Sequence, residues 1–595
     1  MRRLRRTTMA RPRTTTAARN GSNSGNGSSS TTPSQPSVLL GGFDGSEVTL
    51  DDGSKLTYTN SFGGSWYYDP DHPLDGPAGQ ANSWTPPVNE SWRWGTDKQF
   101  GVNLGGWLVL EPFITPAMYD RFYPNAIDEW TLSTLLAAET ARGGLNQIED
   151  HYKTFITEAD FANIAAAGLN WIRLPVPFWA ISKLDSEPFL EKVSWQYFLK
   201  AIVWARKYGL RINLDLHTLP GSQNGWNHSG RLGQPFNWMQ GVMGIANAQR
   251  SMDYIRIYAE FISKPEITNV VPMFGVLNEP RGNILGEQPL KDVYYNIYTT
   301  LRGMTGIGKG PVLSFHTGFF DNGFAGWLPK ADRLMLDRHP YLVFGDTQSN
   351  AAPETFARTP CVQWKQWTDT VSNTFGMNSA GEWSCALSDC ALYINEVGIG
   401  ADYDAQFGEG ACKPLLDYKN WSSDFKAGVL TYTSAMMDAF GSNFFFWTWR
   451  IGPSTRFNNT IQAPDWSYEL GLQEGWIPKD PRTASGTCTK LGYDSHSSFD
   501  GAYDTWQLTG EGATLNPATT EAYPWPPASL TGLPDGGALP TYTATGAIPT
   551  LVVTDAPAAM QTFTPDLGGV GMMVPIANCQ YPDAYNAGMT VPEAC

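Results

Sequence analysis

Charge and histidine are scarce in this chain. Of its 595 residues only 16% are Asp, Glu, Lys or Arg, and seven are His. Cysteine is equally sparse, at Cys361, Cys385, Cys390, Cys412, Cys488, Cys579 and Cys595, with no Cys-x-x-Cys and no His-Glu-x-x-His. Zinc and iron–sulfur centres need ligands clustered in such patterns, so no metal and no cofactor is expected. No apolar run approaches the ~20 residues of a membrane span. The net charge is −16, although the first twenty residues hold seven Arg and no acid. An acidic body is repelled by phosphate backbones, which argues against nucleic acid as a partner.

Aromatic residues are abundant: 13% of the chain, with 23 Trp. Trp fills cores, and it also stacks on the apolar faces of sugars. Apolar residues reach 42%, enough for a large buried core. Few cysteines in a long chain suit a secreted protein with two or three disulfides and a spare thiol. Six Asn-x-Ser/Thr sequons, at Asn20, Asn26, Asn89, Asn227, Asn420 and Asn458, point the same way. The expected location is extracellular or the cell wall, although residue 1 opens no apolar signal segment.

Composition divides the chain. Residues 1–37 are basic, then Ser/Gly-rich, and read as disordered. Residues 38–95 are rich in Gly, Asp, Trp and Pro and read as a strap. Residues 96–515 alternate strand-like and helical runs. Residues 516–595 form a Pro/Thr/Ala-rich extension closed by Cys579 and Cys595, a candidate pair.

Eight strand candidates stand out in the central region: 101–106, 170–177, 210–217, 270–280, 311–318, 334–341, 379–384 and 442–449. Most are continuous apolar runs, the pattern of strands buried on both faces. Between them, Thr157-x-x-Asp160 resembles a capping box, with Gly168 as a stop. Met252, Ile255, Ala259 and Ile262 repeat at helical spacing. Residues 290–306 and 423–440 read likewise. The predicted fold is α/β, a single (β/α)₈ barrel, whose sites lie at the C-terminal strand ends. Asn103, Arg173, His217, Asn278, Glu279, His339, Glu382 and Trp449 fall there. A doubly wound sheet is the alternative, but no Gly-rich phosphate loop follows any strand.

Glu279 ends the fourth run in Leu277-Asn278-Glu279-Pro280, and Glu382 ends the seventh in Gly381-Glu382-Trp383-Ser384. Either carboxylate alone suits a helix cap or an ion pair. Together, at matching strand ends, they suit a retaining glycosidase, whose two carboxyl groups sit ~5–5.5 Å apart as acid/base and nucleophile.

Gly101-Val-Asn-Leu-Gly-Gly-Trp-Leu-Val-Leu-Glu111-Pro, Leu219-Pro-Gly-Ser-Gln-Asn-Gly225, Leu277-Asn-Glu-Pro280, Gly381-Glu-Trp-Ser384 and Asp389-Cys390 resemble the exo-β-1,3-glucanases of glycoside hydrolase family 5. The likeness spans roughly residues 97–490. It implies a retaining hydrolase that frees glucose from non-reducing ends of β-1,3-glucan. By position, Glu279 is the implied acid/base and Glu382 the nucleophile, with Arg173 orienting it and Asn278 binding the sugar 2-OH. Glu111, His217, His339 and Tyr341 line the glucose site, and Trp447 floors it. Strand alternation leaves open whether Trp447 or Trp449 faces the pocket. Trp226 and Phe344 occupy the places of an aromatic clamp on the next sugar, where the family commonly has Phe in place of Trp226. His228 and His316 are left as structural or surface residues. The resemblance further implies a Cys390–Cys412 disulfide, with Cys361–Cys488 as a plausible second. The partner is then a β-1,3-glucan polysaccharide or oligosaccharide, and the protein a monomer. A sibling β-glycanase, a β-1,3-glucan transglycosylase and a silent glucan-binding wall protein are the alternatives.

Overall fold

The computed structural model describes residues 40–591, apart from 75, 346–347, 442, 494–498, 517, 529, 531–538, 547–550, 553–561, 564–571, 586–587 and 589. Residues 1–37, the Asn20 and Asn26 sequons, and Cys595 with its suggested pairing lie outside the described residues.

Strands β1 (Gln99–Asn103), β2 (Trp171–Pro177), β3 (Arg211–Thr218), β4 (Met273–Gly275), β5 (Val312–His316), β6 (Leu334–Arg338), β7 (Asn378–Ala380) and β8 (Asn443–Phe446) each pair in parallel with the next. The ring closes where β8 pairs with β1, from Asn443 opposite Gln99 to Phe446 opposite Val102. Every residue of β2 and β3 is buried. One side of each strand faces the barrel interior and the other faces helices, so neither side needs to be polar. The fold is the (β/α)₈ barrel.

Helices α1 (Glu158–Ala166), α2 (Val193–Tyr208), α3 (Gly244–Ile262), α4 (Glu287–Thr305), α5 (Lys365–Thr374) and α6 (Ser423–Ala439) fill the connections around it. At the start of α1, Asp160 accepts from the Thr157 backbone N–H at 2.8 Å, and the capping box is complete. Gly168, at φ +78°, lets the chain turn away beyond its end. On α3 the Met252, Ile255, Ala259 and Ile262 stripe is buried. One connection departs from strict alternation: residues 317–333, between β5 and β6, hold no helix. Gly318, Phe319, Gly326, Leu328, Lys330 and Arg333 all have left-handed φ there, and that backbone cannot continue a right-handed helix.

The segment before the barrel carries two antiparallel ribbons, Leu40–Phe43 with Ser65–Tyr68 and Glu47–Thr49 with Lys55–Thr57. Between these ribbons and β1, Arg211 anchors the chain by donating to the carbonyls of Pro86, Pro87 and Glu90, and Trp92 packs edge-on against Trp171 at 5.1 Å. After the barrel, β9 (Tyr542–Gly546) and β10 (Met572–Pro575) pair antiparallel. They lie on α3, where the Tyr542 N–H donates to Gln249 Oε1 at 2.8 Å. Disulfides join Cys361 to Cys488 and Cys390 to Cys412, while Cys385 is a buried free thiol. Among the described residues no helix is long and apolar enough to cross a membrane.

Candidate active site

The C-terminal ends of the strands converge on a cavity of about 500 Å³. Glu279, Glu382, Glu111, His217, Trp226, His339, Tyr341, Phe344 and Trp447 line it. Arg173 and Asn278 lie just beneath, both 1% exposed.

Glu279 stands four residues past β4 at φ +45°, a left-handed conformation that a residue with a side chain adopts only under constraint. Glu382 stands two residues past β7. The preceding Gly381 cannot be replaced without a clash, because a Cβ there would lie 2.2 Å from Asp337 Oδ2. Asp337 Oδ1 also accepts the Gly381 N–H at 2.7 Å.

His339 joins the two carboxylates. Its Nδ1 lies 2.6 Å from Glu279 Oε1 and 3.6 Å from Glu382 Oε2. Those two oxygens are therefore at most about 6 Å apart, a bound that admits the ~5–5.5 Å of a retaining pair. Burial opposes charge on the His339 ring, but Glu382 and Asp337 outweigh it and push the pKa up to about 10. Burial raises the Glu279 carboxyl, yet the His339 hydrogen bond and charge prevail and lower it. For Glu382 burial prevails and raises it, with Glu279's charge adding to the effect and His339 and Arg173 opposing. The two carboxyls titrate as one system.

Arg173, from β2, is the hub beneath them. It donates to Glu382 Oε1 at 2.7 Å, Asn278 Oδ1 at 2.7 Å and Asn103 Oδ1 at 2.9 Å, and it pairs with Asp215 at 3.0 Å. Burial works against its charge, and Asp215 and Glu382 restore it. Tyr341 donates to the other Glu382 oxygen at 3.1 Å. His217 Nδ1 is held by Asp215 at 2.6 Å, and its ring lies parallel to Trp447 at 5.6 Å. Trp447 therefore faces the cavity. Trp449 points away, its indole N–H donating to Asp160 at 3.1 Å. Glu111 is 4% exposed, and among the described residues no hydrogen bond reaches its Oε1. Burial, then the charges of Glu382 and Glu279, raise its carboxyl well above the usual range.

Trp226 and Phe344, the two residues expected to clamp the next sugar, both line the cavity. Trp226 meets Phe319 edge-on at 5.7 Å. Phe344 packs on Tyr341 and Trp466, at 5.5 and 6.2 Å. His228 is not a surface residue. It lines the cavity with Nε2 3.3 Å from Glu279 Oε2, and burial pulls its pKa down to about 4. His316 is buried against His339 at 4.4 Å.

Several of these residues escape a reading of the sequence. Asp215 and Asp337 each precede a site histidine by two, as Asp-Leu-His and Asp-Arg-His. The period-2 geometry of a strand places both members on one face, so this signal was available. Phe319 lies on a loop, and His228 and Trp466 on single 3₁₀ turns, Asn227–Ser229 and Pro464–Trp466, too short to show a periodicity. Glu279, His316 and His339 place ligand-type atoms within 4.8 Å of one another. All three groups are already engaged, because His339 Nδ1 bonds Glu279 and His316 Nδ1 accepts the Gly318 N–H at 3.1 Å. The set fits a hydrogen-bonded cluster better than a metal site.

Comparison with known proteins agrees with this architecture. The probable glucan 1,3-beta-glucosidase D of Aspergillus niger is 37% identical over 435 residues, 69% of this chain and 50% of that protein. Its counterpart in Aspergillus flavus is 35% identical over 428 residues, 67% of this chain and 49% of that protein. The chain thus spans about half the length of the curated relatives it matches. Among solved structures, rutinosidase from Aspergillus niger aligns at 22% identity and a TM-score of 0.48, over 65% of this chain and 100% of that one. The family model described as Cellulase (glycosyl hydrolase family 5) matches residues 136–449. That match covers more than half the chain and takes in every strand from β2 to β8, so the chain belongs to glycosyl hydrolase family 5.

Proposed function

We propose that this protein is a retaining exo-hydrolase that frees glucose from the non-reducing ends of β-1,3-glucan. The observation that carries the reading is the pair Glu279 and Glu382, both buried and both within 3.6 Å of His339 Nδ1. Two carboxyls this close suit double displacement.

Glu382 is the nucleophile in this reading. Arg173 and Tyr341 each hold one of its oxygens, which aims the carboxylate and stabilises its charge. Glu279 is the acid/base. Burial raises the Glu382 carboxyl, whereas at Glu279 His339 outweighs burial and lowers it, so double displacement requires the proton to stand on Glu279 and Glu382 to be ionised once the sugar is seated. In the first step Glu382 bonds to the anomeric carbon as the glycosidic bond breaks, and Glu279 gives its proton to the departing oxygen. In the second step Glu279 takes a proton from water, the water oxygen bonds to the anomeric carbon, and Glu382 leaves. Asn278, steered by Arg173, receives the 2-OH, and Trp447 supports the apolar face of the ring.

Exo action finds support in two features. Phe113, Trp447 and Trp466 belong to one apolar cluster and line the cavity together. The unpaired Oε1 of Glu111 offers an acceptor to hydroxyls of a terminal sugar. β-1,3-Glucan as substrate follows from the motif resemblance and the names of the relatives, and a place outside the cell or in its wall suits that substrate. The test is product analysis on laminarin. Glucose alone from the first minutes, released as the β-anomer, is expected. A ladder of oligosaccharides overturns exo action, and initial α-glucose overturns retention.

A further inference from the structure

The loop after β3, residues 219–239, carries both Trp226 and His228. It is closed at its base by backbone hydrogen bonds, Asn237 N–H to the Gly221 carbonyl at 2.7 Å and Trp238 N–H to that of Ser222 at 3.1 Å. From that base, Ser222 Oγ meets Ser229 Oγ at 2.7 Å, and Ser229 Oγ donates to the Trp226 carbonyl at 2.7 Å. The position of the indole is thus set at the loop base.

That base is completed by residues far away in the chain. The carboxamides of Asn237 and Asn247 are buried, at 1% and 0% exposure. Asn237 Nδ2 donates to the carbonyl of Tyr585 at 2.9 Å. Asn247 Nδ2 donates to the carbonyl of Ala584 at 2.9 Å and to that of Asn237 at 3.0 Å. A buried amide donor left without its acceptor is costly, so the closed loop and the C-terminal segment favour each other. The Tyr585 side chain adds to the lock. It is 8% exposed, its ring packs on Trp130 at 4.7 Å, and its phenol reaches the backbone of Gly221. The Arg231 guanidinium sits over both rings, 4.2 Å from Trp130 and 5.1 Å from Tyr585. Upstream, β9 and β10 hold the segment against α3 through Gln249 and Asp253.

We propose that Ala584 and Tyr585 are positioning residues for the reaction. They strap the 219–239 loop so that Trp226 meets the sugar beyond the cleaved bond. The C-terminal extension is then part of the substrate site's support, acting through the loop and not through contact with substrate. This rests on the reading of Trp226 as a sugar platform on the hydrolase proposed above.

The test uses the full-length protein and two readouts. Hydrogen exchange is followed in the peptides covering 219–239, and kcat/KM is measured on laminaritriose and on nitrophenyl β-glucoside, for wild type, Tyr585→Ala and Trp226→Ala. Tyr585→Ala is expected to speed exchange selectively in the loop and to lower trisaccharide kcat/KM by about tenfold, the scale of one lost aromatic contact. The aryl glucoside, which places no second sugar on Trp226, should change by less than about twofold. If Tyr585→Ala does not fold, Tyr585→Leu fills the space without ring or phenol and is read the same way. Unchanged loop exchange, or equal loss on both substrates, overturns the strap. If Trp226→Ala leaves trisaccharide turnover intact, the platform reading fails, and the exchange data still judge the strap alone.

Discussion

Arg173 donates to Glu382 at 2.7 Å, and both side chains are buried, at 1% and 5% exposure. The guanidinium aims one carboxylate oxygen and leaves the other to Tyr341. Replacing Glu382 with Gln keeps this shape and removes the nucleophile, since an amide does not attack the anomeric carbon. Glu382→Gln is expected to abolish turnover with little change in melting temperature. A variant that keeps more than about a hundredth of wild-type kcat removes Glu382 from that role.

The pH–rate profile is expected to be bell-shaped with an acidic optimum. At low pH both carboxyls carry protons and no nucleophile remains. At high pH both are ionised and nothing protonates the leaving oxygen. The two limbs belong to the coupled Glu279–Glu382 pair and not to either residue. A profile flat from about pH 4 to 8 argues against the pair.

Acid stability should depend on His316. Burial lowers its pKa from the ordinary 6.5 to about 3, so below about pH 6.5 the unfolded chain binds a proton that the folded one refuses. The contribution of the neutral ring is full above pH 6.5 and is lost as pH falls toward 3. Asn at this position preserves an acceptor for the Gly318 N–H and does not titrate. Denaturant titrations of His316→Asn between those pH values should show a shallower loss of stability, by about one proton in slope. An unchanged slope contradicts the assignment.

The Cys390–Cys412 disulfide closes 22 residues of sequence. The closed segment includes Asn395 and Glu396, which line the cavity. Removing it as Cys390→Ala with Cys412→Ala should cost about 3 kcal/mol through the freed unfolded chain. The midpoint of urea unfolding measures this, and a shift worth less than about 1 kcal/mol means that the native loop was strained by the bond.

Trp226 is half-exposed in the cavity rim against Phe319. Trp226→Ala is expected to lose about 1–2 kcal/mol of transition-state binding on laminaritriose, roughly tenfold in kcat/KM. Loss on nitrophenyl β-glucoside should be much smaller. Equal losses assign Trp226 to packing.

The sequence by itself determined the eight strands and their order, because most strands buried on both faces read as continuous apolar runs between polar loop residues. It also determined that Glu279, Glu382, Arg173 and His217 sit at one end of the barrel, since parallel strands all point the same way. Long ordered motifs carried the family. Only the tertiary structure decided between Trp447 and Trp449, because the chain turns as it leaves β8 and two-residue alternation no longer holds there. Only it brought His228 to Glu279 and Phe319 to Trp226, contacts made across loops from different strands. It alone set the tail at Tyr585 against Asn237, a contact between residues 348 positions apart. Local periodicity encodes which face of an element is buried, whereas contacts between loops depend on where the closed barrel places their ends.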